Sequence, residues 1–248
     1  MKIVFLGTNG WYDTPTGNTI CTLLETNDFY LVLDAGNGIY KLEEYLDNSK
    51  KPIYLFLSHF HLDHIEGLHI LNKFSFDNTL HIYGQPGTRK ILNNIINQPY
   101  TVSFPGLPFE VHLHEIETGI HHLPFRVECK FLPHASPCFG YRFEIDEKVI
   151  TYCTDTGPHK NVEELARNSN LLITECSLKI GESYPGWPHL NPFDAVKIAI
   201  KAKAKTLALT HFDANIYRSI EERLESKESM KKLFENLIYA HDGMEIVI

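Results

Sequence analysis

A chain of 248 residues can bury a sizeable core and sits at the upper end of what one α/β domain occupies, so a single domain over 1–248 is expected. With 43% apolar and 22% charged residues it has the balance of an ordinary globular protein, which excludes a disordered or fibrous chain. The net charge of −8 argues against wrapping nucleic acid through displaced counterions. Every apolar run is interrupted before membrane-spanning length, and the opening one is too short for a signal peptide, so a cytoplasmic protein with no membrane partner is expected.

Residues 2–6, 20–25, 29–33 and 53–57 are rich in β-branched or aromatic side chains and are predicted as strands. Helical spacing first appears at 38–46, where Ile39, Leu42 and Leu46 fall on one face. Helices at 65–71 and 88–96 follow, on either side of a strand at 80–83. Strands return from 111 to 154, at 127–132, 141–145 and 149–152, separated by turn residues. The last third alternates: 162–166 helical, 171–174 extended, 192–204 helical with Pro192 in its first turn, 206–209 extended, 216–238 largely helical, and a closing strand at 244–248. Strands in two groups with helices interleaved predict an α/β fold with helices packed outside sheets.

The five cysteines, Cys21, Cys129, Cys138, Cys153 and Cys176, show no C-x-x-C spacing, so reduced, buried thiols are expected. The 14 histidines are more numerous than a surface or core requires. His59, His61 and His64 stand with Asp63 directly after the apolar strand 53–57. A strand-end turn aims side chains two apart at one metal, while the next pair opens a helix and points toward a second. Three more donors, His134, Asp155 and His211, each follow an apolar strand, where sites gather.

Over nearly its whole length the chain resembles the metallo-β-lactamase superfamily, through Leu33-Asp34-Ala35-Gly36, the H-x-H-x-D-H segment 59–64, and His134, Asp155 and His211 in that order. The resemblance implies a four-layer αββα sandwich with the site at one edge between two sheets. It also implies one metal on His59, His61 and His134, a second on Asp63, His64 and His211, and Asp155 bridging them. Imidazole with carboxylate suits two zinc ions, with manganese or iron the other metals such donors accept. Water shared by two such ions becomes a nucleophile near neutral pH, which makes hydrolysis the natural reaction class and Asp63 part of the catalytic set. Asp34 is read as an acceptor that orients the ligand loop, against the plainer reading of an Asp closing a turn before Gly36.

Within that superfamily, Leu171-Leu172-Ile173-Thr174-Glu175-Cys176-Ser177 and Pro188-His189-Leu190-Asn191-Pro192 resemble elements of the tRNase Z and phosphodiesterase branch, where a Glu-supported His protonates the leaving oxygen. The plainer reading is that Glu175 ends a strand and Asn191 caps the helix opening at Pro192. Leu6-Gly7-Thr8-Asn9-Gly10, Gly17-Asn18-Thr19 and Phe139-Gly140-Tyr141-Arg142-Phe143-Glu144 are similar to the same branch. Departures are that no Arg precedes Asn18, and that His134 and Asp155 stand only 21 positions apart, where tRNase Z inserts a tRNA-gripping arm. That spacing is closer to small-molecule phosphodiesterases such as the cyclic ribose phosphate enzyme, although that enzyme's cysteine-based structural zinc site has no counterpart here.

The expected function is therefore a two-metal phosphodiesterase, a homodimer acting on a small phosphodiester or an RNA 3′ end. The alternatives are a tRNA 3′-processing endonuclease and a lactone or thioester hydrolase, which would not need Glu175 and His189. A redox di-iron protein would carry a carboxylate in place of His61, and a non-catalytic module would have lost ligands. The loop from Gly7 to Gly17 is read as plain, and His69, His81, His112, His114, His121, His122, His159 and His241 as outside the site.

Overall fold

Side-chain alternation decides which way each strand faces. In β5 (Ile53–Phe56), Tyr54 and Phe56 enter one apolar cluster while Ile53 and Leu55 enter another, and all four are buried. A strand covered on both faces must be apolar throughout, as β4 (Tyr30–Leu33) and β13 (Leu207–Thr210) nearly are. The computed structural model describes residues 1–47, 49–184 and 186–248.

One sheet takes β1 (Lys2–Gly7), β3 (Cys21–Glu25), β4, β5, β6 (Leu80–Gly84), β7 (Val111–Glu115) and β16 (Met244–Val247), in spatial order β16-β1-β3-β4-β5-β6-β7. The other takes β8 (Gly119–His122), β9 (Arg126–Leu132), β10 (Cys138–Ile145), β11 (Lys148–Cys153), β12 (Leu171–Glu175), β13 and β15 (Leu237–Tyr239), in order β15-β13-β12-β11-β10-β9-β8. Strands β4 to β7 run parallel, as do β11, β12, β13 and β15. A short parallel pair, β2 (Asn9–Gly10) with β14 (Phe212–Asp213), lies apart from both.

The two sheets share one apolar core between them, with Phe5, Leu33 and Phe56 from one and Phe139, Phe143 and Ile173 from the other. Behind the first sheet pack α2 (Thr88–Ile95) and 3₁₀ segments, with Leu42, Leu68 and Leu92 inside. Behind the second pack α3 (Lys160–Leu165) and α4 (Pro192–Ala202), with Leu165, Val196 and Ala199 inside. This is the expected αββα layering. Asn191 caps α4, its Oδ1 accepting from Phe193 N–H and Asp194 N–H at 2.9 and 3.1 Å, and Pro192 opens it.

Three expected helices differ. The segment read as 38–46 is a 3₁₀ helix, Asn37–Tyr45, in which Ile39, Leu42 and Tyr45 recur every three residues, the 3₁₀ period. The segment read as 65–71 is α1 (Leu62–Ile65) continued by a 3₁₀ helix, Glu66–Lys73, where Ile65, Leu68 and Leu71 repeat that spacing. The long helix read at 216–238 is α5 (Ile220–Leu224), α6 (Lys227–Lys231) and then β15, whose Leu237 and Ile238 pair with Leu207 and Ala208. Among the described residues no helix is long and apolar enough to cross a membrane.

Candidate metal centre

The site lies where strands of both sheets end. Asp34 follows β4, the 59–64 segment follows β5, His134 follows β9, Asp155 follows β11, Glu175 closes β12 and His211 follows β13. Asp34, Asp155 and His211 hold left-handed backbone, with φ of 57°, 50° and 52°. Three non-glycine residues in that region at one edge are a strain characteristic of functional sites.

All seven expected ligands are brought together in two groups: His59, His61, His134 and Asp155, and Asp63, His64 and His211, with the donor atoms of each group within 4.8 Å of one another. Asp155 reaches both, its Oδ1 standing 3.7 Å from His134 Nε2 and its Oδ2 3.2 Å from His64 Nε2.

Hydrogen bonds behind the rings fix which nitrogen faces inward. Asp34 accepts from Ser58 N–H at 2.7 Å, the Ser58 hydroxyl at 2.8 Å and the Tyr152 hydroxyl at 2.6 Å, and His64 Nδ1 lies 2.8 Å from its Oδ2. His64 therefore donates through Nδ1. The Ser177 hydroxyl donates to the His211 carbonyl at 3.1 Å, so it accepts from His211 Nδ1–H at 3.2 Å. The two Nε2 atoms left over face each other at 3.2 Å.

Two imidazole lone pairs cannot face each other at that distance without a cation or a proton between them. Nitrogens sharing a tetrahedral zinc at about 2.0–2.1 Å stand about 3.3 Å apart. His61 Nδ1 and His134 Nε2 show the same 3.2 Å separation, and His59 Nε2 is buried without a partner among the described residues. The donor set therefore fits two metal ions.

Electrostatics agree. Burial holds His59 and His61 below the usual imidazole pKa and brings His134 down to about 4, which keeps these rings in the neutral, ligating form. Burial opposes charge on His64 too, but Asp155, Asp63 and Asp34 outweigh it and raise its pKa. That half of the site is short of positive charge, which either a proton or a metal cation supplies.

Glu175 and His189 form a second unit beside the cluster. Glu175 Oε1 lies 2.7 Å from His189 Nδ1 and also accepts from Thr156 N–H, while its Oε2 accepts from Ser177 N–H and Leu190 N–H, both at 3.2 Å. His189 Nε2 is buried without a partner among the described residues, and its ring centroid lies 5.4 Å from that of His134. Burial disfavours its charged form, yet the Glu175 charge and hydrogen bond prevail and push it up to about 9.

The loop read as plain is part of this site. Trp11 N–H donates to Asp63 Oδ2 at 2.8 Å, and a Cβ on Gly10 would come within 2.6 Å of the His211 ring, so only glycine lets the loop lie this close. Trp187 lies against the rings of His61, His134 and His189. Neither tryptophan was singled out in the sequence; the available signal was that both follow a glycine in a loop, as Gly10-Trp11 and Gly186-Trp187. Away from the centre, His81 Nδ1 meets His114 Nε2 at 3.2 Å between β6 and β7, and His159 caps α3.

Comparison with known proteins places this arrangement. Residues 30–212 match a family model described as a beta-lactamase superfamily domain. A ribonuclease Z of Pyrococcus abyssi is 27% identical, over 85% of this chain and 86% of its own. The metallo-beta-lactamase fold protein YhfI of Bacillus subtilis superposes with a TM-score of 0.78 at 22% identity, covering 99% of this chain and 98% of its own. A diphosphatase from the PhnP family superposes with a TM-score of 0.75 at 19% identity, covering 100% of this chain and 97% of its own.

Proposed function

The chain belongs to the beta-lactamase superfamily, and from that premise we propose that it is a metal-dependent hydrolase of phosphodiesters carrying two zinc ions. His59, His61 and His134 would hold one ion and Asp63, His64 and His211 the other, with Asp155 placed to serve both; manganese or iron would suit the same donors. When bound, two such ions supply a nucleophile at neutral pH and offset the charge gathering on phosphoryl oxygen.

The observation that carries the phosphodiester reading is the Glu175–His189 pair. An alkoxide leaving group needs a proton, and His189, held through Nδ1 with its Nε2 unpartnered among the described residues, is placed to deliver one. Glu175, fixed by three backbone N–H groups, orients the ring and favours its protonated form. The Trp11 N–H steadies Asp63, and Asp34 sets the His64 ring. Among the described residues no arginine side chain hydrogen-bonds to the candidate ligands, to Glu175 or to His189, which suits a singly charged diester better than a dianionic monoester.

An RNA 3′ end is the alternative substrate, favoured by the relative named ribonuclease Z. Against a tRNA substrate, His134 and Asp155 are joined only by β10 and β11 with short turns, leaving no arm between them. The zinc-loaded protein is tested on a phosphodiester, a phosphomonoester, a lactone, a thioester and an unprocessed tRNA. Preference for the diester is the expected result; preference for a monoester, lactone or thioester overturns the reading.

A further inference from the structure

Two tryptophans from separate loops stand over the metal centre. Their rings stack at 5.7 Å between centroids with 17° between planes. Trp187 is also nearly parallel to the His61 ring, at 8° and 6.3 Å, and lies 5.6 Å from the rings of both His134 and His189. The pair therefore begins on the candidate ligands and the candidate acid and runs outward to solvent.

Trp11 is not held by an apolar core. Its backbone is left-handed at φ 72°, its N–H is fixed on Asp63, Gly10 beside it is pressed on His211, and its side chain is 53% exposed. An indole presented to water and positioned by the candidate ligands themselves is a rigid aromatic plane at the mouth of a reaction centre. Tyr12 and Tyr184, both exposed, follow Trp11 directly and precede Trp187 by three positions. Such planes take up flat unsaturated rings, and stacking of this kind tolerates any base because every base has a π face.

We propose, on the reading of this site as a phosphodiesterase, that Trp11 and Trp187 form the platform on which a nucleobase adjoining the scissile phosphodiester stacks. Nucleotide diesters are then the substrate class, preferred over alkyl diesters. A third ring between the indoles would need two contacts of about 3.5 Å, roughly 7 Å in all, so the base lies on the outer face of Trp11. The base belongs either to a free nucleotide ester or to an RNA 3′ end.

The test compares kcat/KM of zinc-loaded protein for thymidine 5′-(4-nitrophenyl phosphate) and methyl 4-nitrophenyl phosphate, which share a leaving group. Stacking predicts a thymidyl preference of about 5- to 150-fold, carried mainly by KM. Trp11→Leu should collapse this ratio toward one, and Trp11→Phe should keep most of it. A ribonucleotide trimer and a ribonucleoside 5′-(methyl phosphate), which both expel an alkoxide, distinguish the sources: a kcat/KM for the trimer no higher than for the methyl ester assigns a free nucleotide, and a higher one an RNA end. Fluorescence supplies a readout without turnover, since Trp187→Phe leaves Trp11 the single tryptophan, whose emission thymidine 5′-monophosphate should quench. Quenching without hydrolysis of either diester keeps the platform and rejects the phosphodiesterase. Hydrolysis of both with no quenching, and a ratio unchanged in Trp11→Leu, overturns the platform and leaves the phosphodiesterase standing.

Discussion

The Tyr152 hydroxyl donates to Asp34 Oδ2 at 2.6 Å across the gap between the two sheets, directly behind the ring of His64. Tyr152 is the last residue but one of β11, which leads on to Asp155, so one hydrogen bond ties the two groups of candidate ligands to a common base. Tyr152→Phe removes a single bond to a carboxylate and should cost about 1.5–3 kcal/mol in urea unfolding. Asp34→Asn disturbs His64 itself, so zinc affinity measured against a competing chelator should fall about 10- to 100-fold. Unchanged affinity in Asp34→Asn would leave Asp34 a turn-closing residue only.

Asp155 offers one oxygen toward each group of donors, whereas His211 stands in one group only. Elemental analysis of protein purified without chelator should give two ions per chain. Asp155→Ala should lose more metal than His211→Ala, and equal losses would speak against Asp155 as the shared ligand.

Arg223, 2% exposed, sends its guanidinium to Thr8 Oγ1 at 3.1 Å, Thr16 Oγ1 at 2.8 Å and Asn9 Oδ1, pinning the loop that carries Trp11. Replacing it by leucine takes this donor from the buried Thr8 and Asn9, and by the usual worth of bonds to charged groups the chain should lose about 3 kcal/mol in chemical denaturation. Arg223→Lys should restore less than half, because an ammonium lacks the planar fork that reaches three acceptors. Full rescue by lysine would mean that only the charge matters.

What the sequence discloses follows from how local each signal is. The ligand segment is contiguous, and His134, Asp155 and His211 each end an apolar strand, so the candidate centre is readable without knowing how the strands pair. Helix type was less readable: apolar residues at 39, 42 and 45 serve a 3₁₀ turn, and Leu237 continues a helical pattern yet pairs in a sheet. Trp11 and Trp187 were missed because their role exists only once two loops far apart in sequence meet. Arg223 was missed for the same reason; in the sequence it is one more basic residue in an amphipathic stretch.

The Glu175–His189 contact also sets a pH dependence. Raised to about 9, His189 keeps its proton where an ordinary imidazole, at about 6.5, has lost it. The rate for an alkyl diester should therefore hold through neutral pH and decline on the alkaline side as His189 deprotonates. In Glu175→Gln the carboxylate charge that supports the imidazolium is gone, so this alkaline limb should move to lower pH. A limb that stays in place in Glu175→Gln would assign it to another group.

The leaving group decides whether His189 acts as the proton donor. An alkoxide departs with a proton in the transition state, whereas a nitrophenolate is stable enough to leave without one. General acid catalysis is worth about 10²–10⁴-fold. His189→Ala should therefore slow an alkyl phosphodiester by about that much and cost a nitrophenyl diester far less, with both metals still bound by elemental analysis. Glu175→Gln should act in the same direction more weakly, since it loosens the ring without removing it. Equal slowing of both substrates with metal content intact would make His189 a positioning residue, and the proton would have to come from another donor.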